Sequence, residues 1–184
     1  MNYASKKGHV NVVRMLIKIG ADVNANAKDI YEKTPLHKAC KHGHVNVAKL
    51  LIEKGADINA KCKGEKTPLH EASFWARDSD RGHVDVAKLL IENGAKVNAK
   101  SYGGVNAKNF GGTPLHWACN YGDVDVAKLL IENGAELNAK NNNKNATDGN
   151  VESFVRGAAK AGARGIGAAI AEELLDAAIG GEAM

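Results

Sequence analysis

The sequence has few aromatic residues, few cysteines and no long apolar run, and each shortage excludes a class of protein. Phe, Tyr and Trp together make up 5% of the residues, so the core must be built from Leu, Ile, Val and Ala. The three cysteines are an odd number without the spacing of a disulfide framework, which favours free thiols in a reducing compartment. The first apolar stretch, residues 10–19, contains Asn11, Arg14 and Lys18 and is no signal-peptide core. No segment has the roughly 20 mainly apolar residues of a membrane-spanning helix.

The remaining composition is that of an ordinary globular protein. The chain has 184 residues, of which 44% are hydrophobic and 25% charged, and this predicts one folded domain, with or without an appendage. The formal net charge is +4, but it is unevenly distributed, because the segment after Asn150 holds three basic and five acidic side chains. A modest basic excess in the rest of the chain permits an acidic partner without requiring one.

The sequence also repeats itself. The tetrapeptide Thr-Pro-Leu-His begins at Thr34, Thr67 and Thr113 and contains all three prolines of the chain. The first two copies lie 33 residues apart and the next two lie 46 apart, with the extra residues in two insertions. A second motif, in which Gly and then His or Asp precede a Val-rich segment, recurs four times. Self-similarity at this period predicts stacked repeats, because one such unit cannot bury its own apolar faces.

The local physics of one unit predicts two short helices. Thr34 is a suitable N-cap, and the proline after it sits where its missing N–H costs nothing. This first helix is expected to end near Gly43, and a second, more apolar helix is expected over residues 45–54. Gly55 then supplies a left-handed turn into a polar loop of the kind that Asn and Asp tolerate.

These motifs together resemble the ankyrin repeat family. The matching elements are Thr-Pro-Leu-His-x-Ala, the following Gly-His or Gly-Asp, the helix Val-Ala-Lys-Leu-Leu-Ile-Glu, and Gly-Ala-Asp-x-Asn-Ala. The resemblance covers about residues 1–147 and is highly specific because it is periodic. It implies an all-α repeat solenoid of helix-turn-helix units, with projecting β-hairpin finger loops and a concave face that binds other proteins.

The resemblance divides the chain into two segments. Residues 1–147 form the predicted repeat domain, with a partial first repeat, about three full repeats and insertions near residues 74–81 and 97–112. The first repeat lacks the Thr-Pro cap, so its edge is expected to be frayed or truncated. Residues 148–184 form a tail rich in Ala and Gly, for which we expect helices that cover the C-terminal end of the stack. A flexible or partner-docking tail is the alternative.

Two chemical signatures are weak. Residues 161–170 resemble the glycine-rich turn of short-chain dehydrogenases, but an apolar strand does not precede them and only a short segment follows. His and Cys lie three residues apart in two of the units, at His37 and Cys40 and again at His116 and Cys119, a spacing that could suit a metal. We favour histidines that satisfy loop backbone groups and cysteines that pack in the core. We therefore predict no catalytic residues, no cofactor and no metal site.

The aromatic residues of the repeats are the most informative candidates for binding. Trp117 aligns with a Lys and a Glu of sister units, and Phe74-Trp75 align with Lys41-His42 and Asn120-Tyr121. Because charged residues tolerate solvent, we expect these rings to be exposed on or beside the concave helix surface, where aromatics and Arg anchor protein interfaces. The alternative is that Trp75 only covers its insertion and that Phe110 only fixes its own loop. The predicted partner-binding residues are Tyr31, Lys33, Lys41, His42, Lys66, Phe74, Trp75, Arg77, Arg81, Phe110, Trp117, Asn120 and Tyr121.

The sequence thus predicts a non-enzymatic module that binds a protein partner through its concave face and finger loops. The basic residues of the fingers would speed encounter with an acidic partner, although Lys is also the ordinary solubilising residue. We expect a monomer with no membrane span and no nucleic-acid partner, in the cytoplasm or another reducing compartment; export into a host cell stays open. The alternative is a truncated array, or a scaffold whose function lies in the tail.

Overall fold

The computed structural model describes residues 1–26, 31–74, 82–102, 111–121, 123–137 and 139, and these form a stack of four helix pairs. The pairs are α1 (Asn2–Lys6) with α2 (Val10–Lys18), α3 (Pro35–Lys41) with α4 (Val45–Glu53), α5 (Pro68–Ala72) with α6 (Gly82–Glu92), and α7 (Pro114–Tyr121) with α8 (Val124–Glu132). The odd-numbered helices pack in one layer and the even-numbered helices in a second. This arrangement is the predicted all-α repeat solenoid.

The core is built from the same positions of successive units. Leu36, Leu69 and Leu115 of the first helices are completely or almost completely buried. In the second helices, the buried positions are held by Val47, Val86 and Val126 and by Leu51, Leu90 and Leu130. Small Ala residues beside them let the helices approach closely, which explains how a chain with few aromatics forms a continuous core.

Helix α3 begins as the sequence predicts. The Thr34 hydroxyl accepts a hydrogen bond from the His37 backbone N–H, and Pro35 occupies the first turn. The cap extends to the histidine ring, because Thr34 Oγ1 lies 2.7 Å from His37 Nδ1. The helix stops at Lys41, and Gly43 and Gly55 have the left-handed φ values of 66° and 83° that let the chain turn after each helix.

Two of the capping histidines also tie their own unit to the next one. His37 Nε2 donates to the Lys66 carbonyl at 2.9 Å, and His70 Nε2 donates to the Gly112 carbonyl at 3.0 Å. Burial lowers the pKa of both rings, that of His70 to about 4, so both stay neutral and act as single donors. The prediction that these histidines satisfy loop backbone groups is confirmed.

A ladder of asparagines gives a second connection between units, at the other end of the repeat. Asn24 donates to the Gly55 carbonyl at 3.1 Å and accepts from the Asp57 N–H at 2.8 Å. Asn59 and Asn98 make the same pair of bonds to the unit after their own. Asn98 does so although the second insertion follows it, so the inserted residues do not shift the register of the stack.

The second insertion closes at its base. Ser101 and Gly112 form an antiparallel β-bridge in which each N–H donates to the other's carbonyl at 2.9 Å. The neighbouring finger is attached by the Tyr102 N–H, which donates to the Gly64 carbonyl at 2.8 Å. Residues 103–110 lie outside the described part of the chain, so the hairpin shape of the finger tips stays a prediction.

The first pair of helices leaves apolar side chains in solvent. Val12 and Met15 are 42% and 57% exposed, whereas Val47, at the position of Val12 in the next unit, is completely buried. Ile19 is 74% exposed at a position where the other units carry Lys or Asn. Helix α1 is nevertheless ordered against α3. The expected tail helices lie outside the described residues, and the domain boundaries stay predictions.

Candidate partner-binding cleft

A cleft of about 320 Å³ opens where the first helices meet the finger loops. We call it the basic cleft, because lysines dominate the described residues that line it. It is formed by Lys6, Tyr31, Lys33, Lys38, Lys41, His42, Lys66, Glu71, Phe74 and Trp117. Its volume is at the small end of the range for ligand pockets, about 300–1,000 Å³, and suits a few side chains better than a large cofactor.

Two of the rings that line the basic cleft, Phe74 and Trp117, belong to a cluster that also contains Tyr121. Phe74 follows α5, and Trp117 and Tyr121 lie one helical turn apart on α7. The centroid of Phe74 is 4.5 Å from that of Tyr121 and 5.5 Å from that of Trp117. These distances are typical of offset or edge contacts between rings, which stabilise aromatic clusters beyond the area they bury.

The expected exposure of Trp117 is wrong. Its side chain is 2% exposed, and the edge of its ring also meets the buried ring of His70, 6.1 Å away. The prediction relied on the sister residues Lys38 and Glu71 as markers of solvent, but Glu71 is itself only 3% exposed. Trp117 is covered instead by Lys66 of the preceding finger, which lies over its ring, and by Phe74, which packs against its side.

Lys33 is also buried, against the expectation that it forms part of an exposed basic surface. Its Nζ lies 2.8 Å from Glu71 Oε2, and Lys33 and Glu71 are 8% and 3% exposed. The ammonium additionally lies 5.7 Å from the centre of the Tyr31 ring. The charge of Lys33 is therefore neutralised within the protein.

Two other lysines of the cleft lie over aromatic rings. Lys66 Nζ is 4.7 Å from the centre of the Trp117 ring, and Lys41 Nζ is 5.1 Å from the centre of the Phe74 ring. Both are partly buried. Burial lowers the pKa of both ammonium groups, and neighbouring lysines lower it further, whereas Glu71 opposes the shift. Each cation is held in place on a ring without full hydration.

The other predicted residues occupy different environments. Tyr31 is 53% exposed and His42 is exposed, as expected. Partial desolvation and the neighbouring Lys41 lower the pKa of His42 to about 4, so its ring is neutral at pH 7. Asn120 and Tyr121 are partly buried beside each other. Trp75, Arg77, Arg81 and Phe110 lie outside the described residues, and the binding role of every predicted residue stays a prediction.

The structure adds three cleft residues that the sequence did not identify. Lys6, Lys38 and Glu71 line the basic cleft. Lys6 could have been found, because it aligns with Lys41, Phe74 and Asn120 in the later units. The alignment of the repeats does not reveal the pair of Glu71 and Lys33, because the two residues occupy different positions of neighbouring units.

Cys40 and Cys62 are buried and Cys119 is partly buried. Cys40 is completely buried, as predicted, and burial raises its pKa well above the ordinary value. Burial raises the pKa of Cys62 to about 11 and that of Cys119 to about 12, so all three are protonated at neutral pH. Among the described residues, no three His, Cys, Asp or Glu side chains cluster as metal ligands would. None of the described helices has the length and apolar character needed to cross a bilayer.

Comparison with known families matches most of the chain. A sequence model described as ankyrin repeats, three copies, matches residues 1–101, and a model of the single ankyrin repeat matches residues 110–142. The second match begins near the end of the insertion between the third and fourth helix pairs. No curated protein shows significant similarity to the chain.

Proposed function

Because the chain belongs to the ankyrin repeat family, whose members are generally protein-protein interaction modules, we propose that it binds a protein partner through its concave face and finger loops. We propose further that it is not an enzyme. The observation that carries the proposal is the basic cleft, where partly buried rings and lysines from successive units come together on one surface. Rings and long cationic side chains are the residue types that anchor protein interfaces.

The construction of the surface supports rigid recognition. The histidine bonds and the asparagine ladder join each unit to the next before any partner arrives. A surface that is already ordered loses little conformational entropy on binding. The partly buried Phe74 and Tyr121 rings can therefore act as fixed anchors rather than as mobile side chains.

The charge of the cleft favours an acidic partner. Five of its described lining residues are lysines and one is a glutamate. A positive concave surface accelerates encounter with a negatively charged protein and disfavours a basic one. Three free thiols support a reducing compartment, and we propose that the chain acts there as a monomer.

The test is capture of a partner by the full chain from an extract of the cells that make it, with mass spectrometry to identify bound proteins. We expect Phe74→Ala/Tyr121→Ala to lose a protein that the unchanged chain retains. The matched control is Met15→Ala/Ile19→Ala, which removes exposed apolar side chains from α2 and the residue that follows it and should retain the protein. Equal capture by all three chains would contradict the concave-face assignment. The same double variant with unchanged circular dichroism excludes unfolding as the cause of any loss.

A further inference from the structure

We propose that the basic cleft binds an extended acidic peptide segment of the partner, with carboxylates on alternate residues paired by Lys41 and Lys66. This inference rests on the proposed function and assigns the chemistry that the cleft recognises. It depends on which lysines are already neutralised, on where the remaining ammonium groups are held, and on how far apart they are.

The one described carboxylate of the cleft is already paired with a lysine of the protein. Glu71 is the single acidic residue among the described residues that line the cleft, and its Oε2 already pairs with Lys33. Neither Lys41 nor Lys66 has a carboxylate within 4 Å in the described part of the chain. The described lining therefore leaves Lys41 and Lys66 without an internal carboxylate, and a bound anion can supply one to each.

Two of the other lysines are held in place by aromatic rings before a ligand binds. Lys41 and Lys66 come from different units, yet their ammonium groups lie on the adjacent rings of Phe74 and Trp117. A lysine that is held on a ring has already lost part of the side-chain freedom that a free surface lysine loses when it forms an ion pair. Their lowered pKa values show that burial disfavours the charged form of each, and an incoming carboxylate would restore it.

The distance between the two rings can be compared with the side-chain spacing of an extended peptide. The Phe74 and Trp117 rings under the two ammonium groups are 5.5 Å apart between centroids. An extended peptide places the side chains of residues i and i+2 on the same face, about 7 Å apart. The two spacings are of similar size, and we infer that carboxylates on alternate residues pair with the two cations while the residue between them faces away from the cleft.

The burial of Trp117 disfavours a nucleic acid as the ligand of the cleft. Trp117 lies under Lys66 and is 2% exposed, so its face is closed to the base stacking that single-stranded nucleic acids use. The lysines that line the cleft can pair with carboxylates as point charges. We therefore propose the acidic peptide, and binding of a nucleic acid is an outcome of the test.

The test measures fluorescence anisotropy of a labelled peptide of alternating Glu and Ser, added to the full chain. The control peptide replaces every Glu with Gln. We expect the acidic peptide to bind, the neutral peptide not to bind, and the affinity to fall as salt is raised from about 50 to about 300 mM, because the ion pairs are partly exposed. Lys41→Glu/Lys66→Glu should weaken binding by at least about tenfold.

The matched control is Lys49→Glu/Lys88→Glu, which makes the same change in net charge at exposed lysines of α4 and α6. It should weaken binding much less. Lys41→Gln/Lys66→Gln removes the two charges without adding acidic groups beside Glu71, and it keeps the test valid if the Glu variant does not fold. Circular dichroism of each variant establishes that it is folded.

Three results would overturn the inference: no binding of the acidic peptide, an equal loss with the α4 and α6 control, or tighter binding of an oligothymidine through the same two lysines. Failure of the inference and failure of the proposed function give different patterns. If Phe74→Ala/Tyr121→Ala loses a partner that Lys41→Gln/Lys66→Gln retains, the concave face binds a protein but the acidic-segment assignment is wrong.

Discussion

Two neighbouring junctions of the stack use the same residue for different purposes. Lys33 and Lys66 occupy equivalent positions, each directly before the capping Thr of a first helix. Each reaches the first helix of the following unit, where Lys33 meets Glu71 and Lys66 meets Trp117. Glu71 and Trp117 are themselves equivalent. One change of partner therefore decides whether the lysine is neutralised inside the protein or keeps its charge at the basic cleft.

A repeat protein can thus change the chemistry of its surface from one unit to the next without changing its fold. The caps, the buried leucines and the histidine bonds are the same at both junctions. The side chain below the lysine differs, and so does its neighbour, which is Phe74 beside Trp117 but Lys41 in the preceding unit. At the Glu71 junction the lysine pairs with a buried carboxylate, and at the Trp117 junction it lies over an aromatic cluster.

The largest expected effect is at the aromatic junction. Trp117→Ala removes a buried ring that touches His70, Phe74 and Tyr121, and truncation of a buried Trp costs about 3–5 kcal/mol. We expect the free energy of unfolding, measured by urea titration and circular dichroism, to fall by roughly 4 kcal/mol. A loss below about 1 kcal/mol would show that the cluster does not stabilise this junction.

The ion-pair junction should be nearly as sensitive. Glu71→Gln leaves the buried Lys33 ammonium without its carboxylate, which costs roughly 3 kcal/mol for a buried pair. The control is Glu65→Gln, which breaks the exposed pair between Lys61 and Glu65 and should change the urea midpoint very little. Equal midpoints for the two variants would contradict the structural role of the Lys33–Glu71 pair.

Acid should weaken both junctions through the buried histidines. The pKa of His70 is lowered to about 4 in the folded protein, and its unfolded value is near 6.5. The unfolded chain therefore takes up the proton first, and stability is complete above about pH 6.5 and declines as the pH falls towards 4. For His70 this loss is roughly 3 kcal/mol. His70→Gln should flatten the pH dependence of the thermal midpoint, and an unchanged slope would refute the assignment.

The smallest expected effect separates stability from binding. Lys66→Met keeps most of the apolar stem over Trp117 but removes the ammonium, so the cation–π contribution of about 1 kcal/mol or less is lost. Thermal unfolding should change little. Binding of the alternating Glu-Ser peptide should weaken clearly, and unchanged binding would place the recognition elsewhere.

Much of the fold could be predicted because its determinants are local. Thr34, Pro35 and the glycines after each helix specify where the helices begin and end, and the repeated tetrapeptide specifies how the units align. The burial of Trp117 and the Lys33–Glu71 pair could not be predicted in this way. In both cases a side chain of one unit contacts a different position of the next unit. An alignment that compares equivalent positions does not reveal such contacts.

The most direct test of the central claim is the reactivity of the lysines towards reductive methylation, read by mass spectrometry of peptides from the folded full chain. If Lys33 is neutralised internally and Lys66 is available to a ligand, Lys66 should be methylated much faster than Lys33, and excess alternating Glu-Ser peptide should protect Lys66. Equal rates at the two lysines, with no protection by the peptide, would show that Lys33 is not shielded by Glu71 and that the peptide does not bind at Lys66.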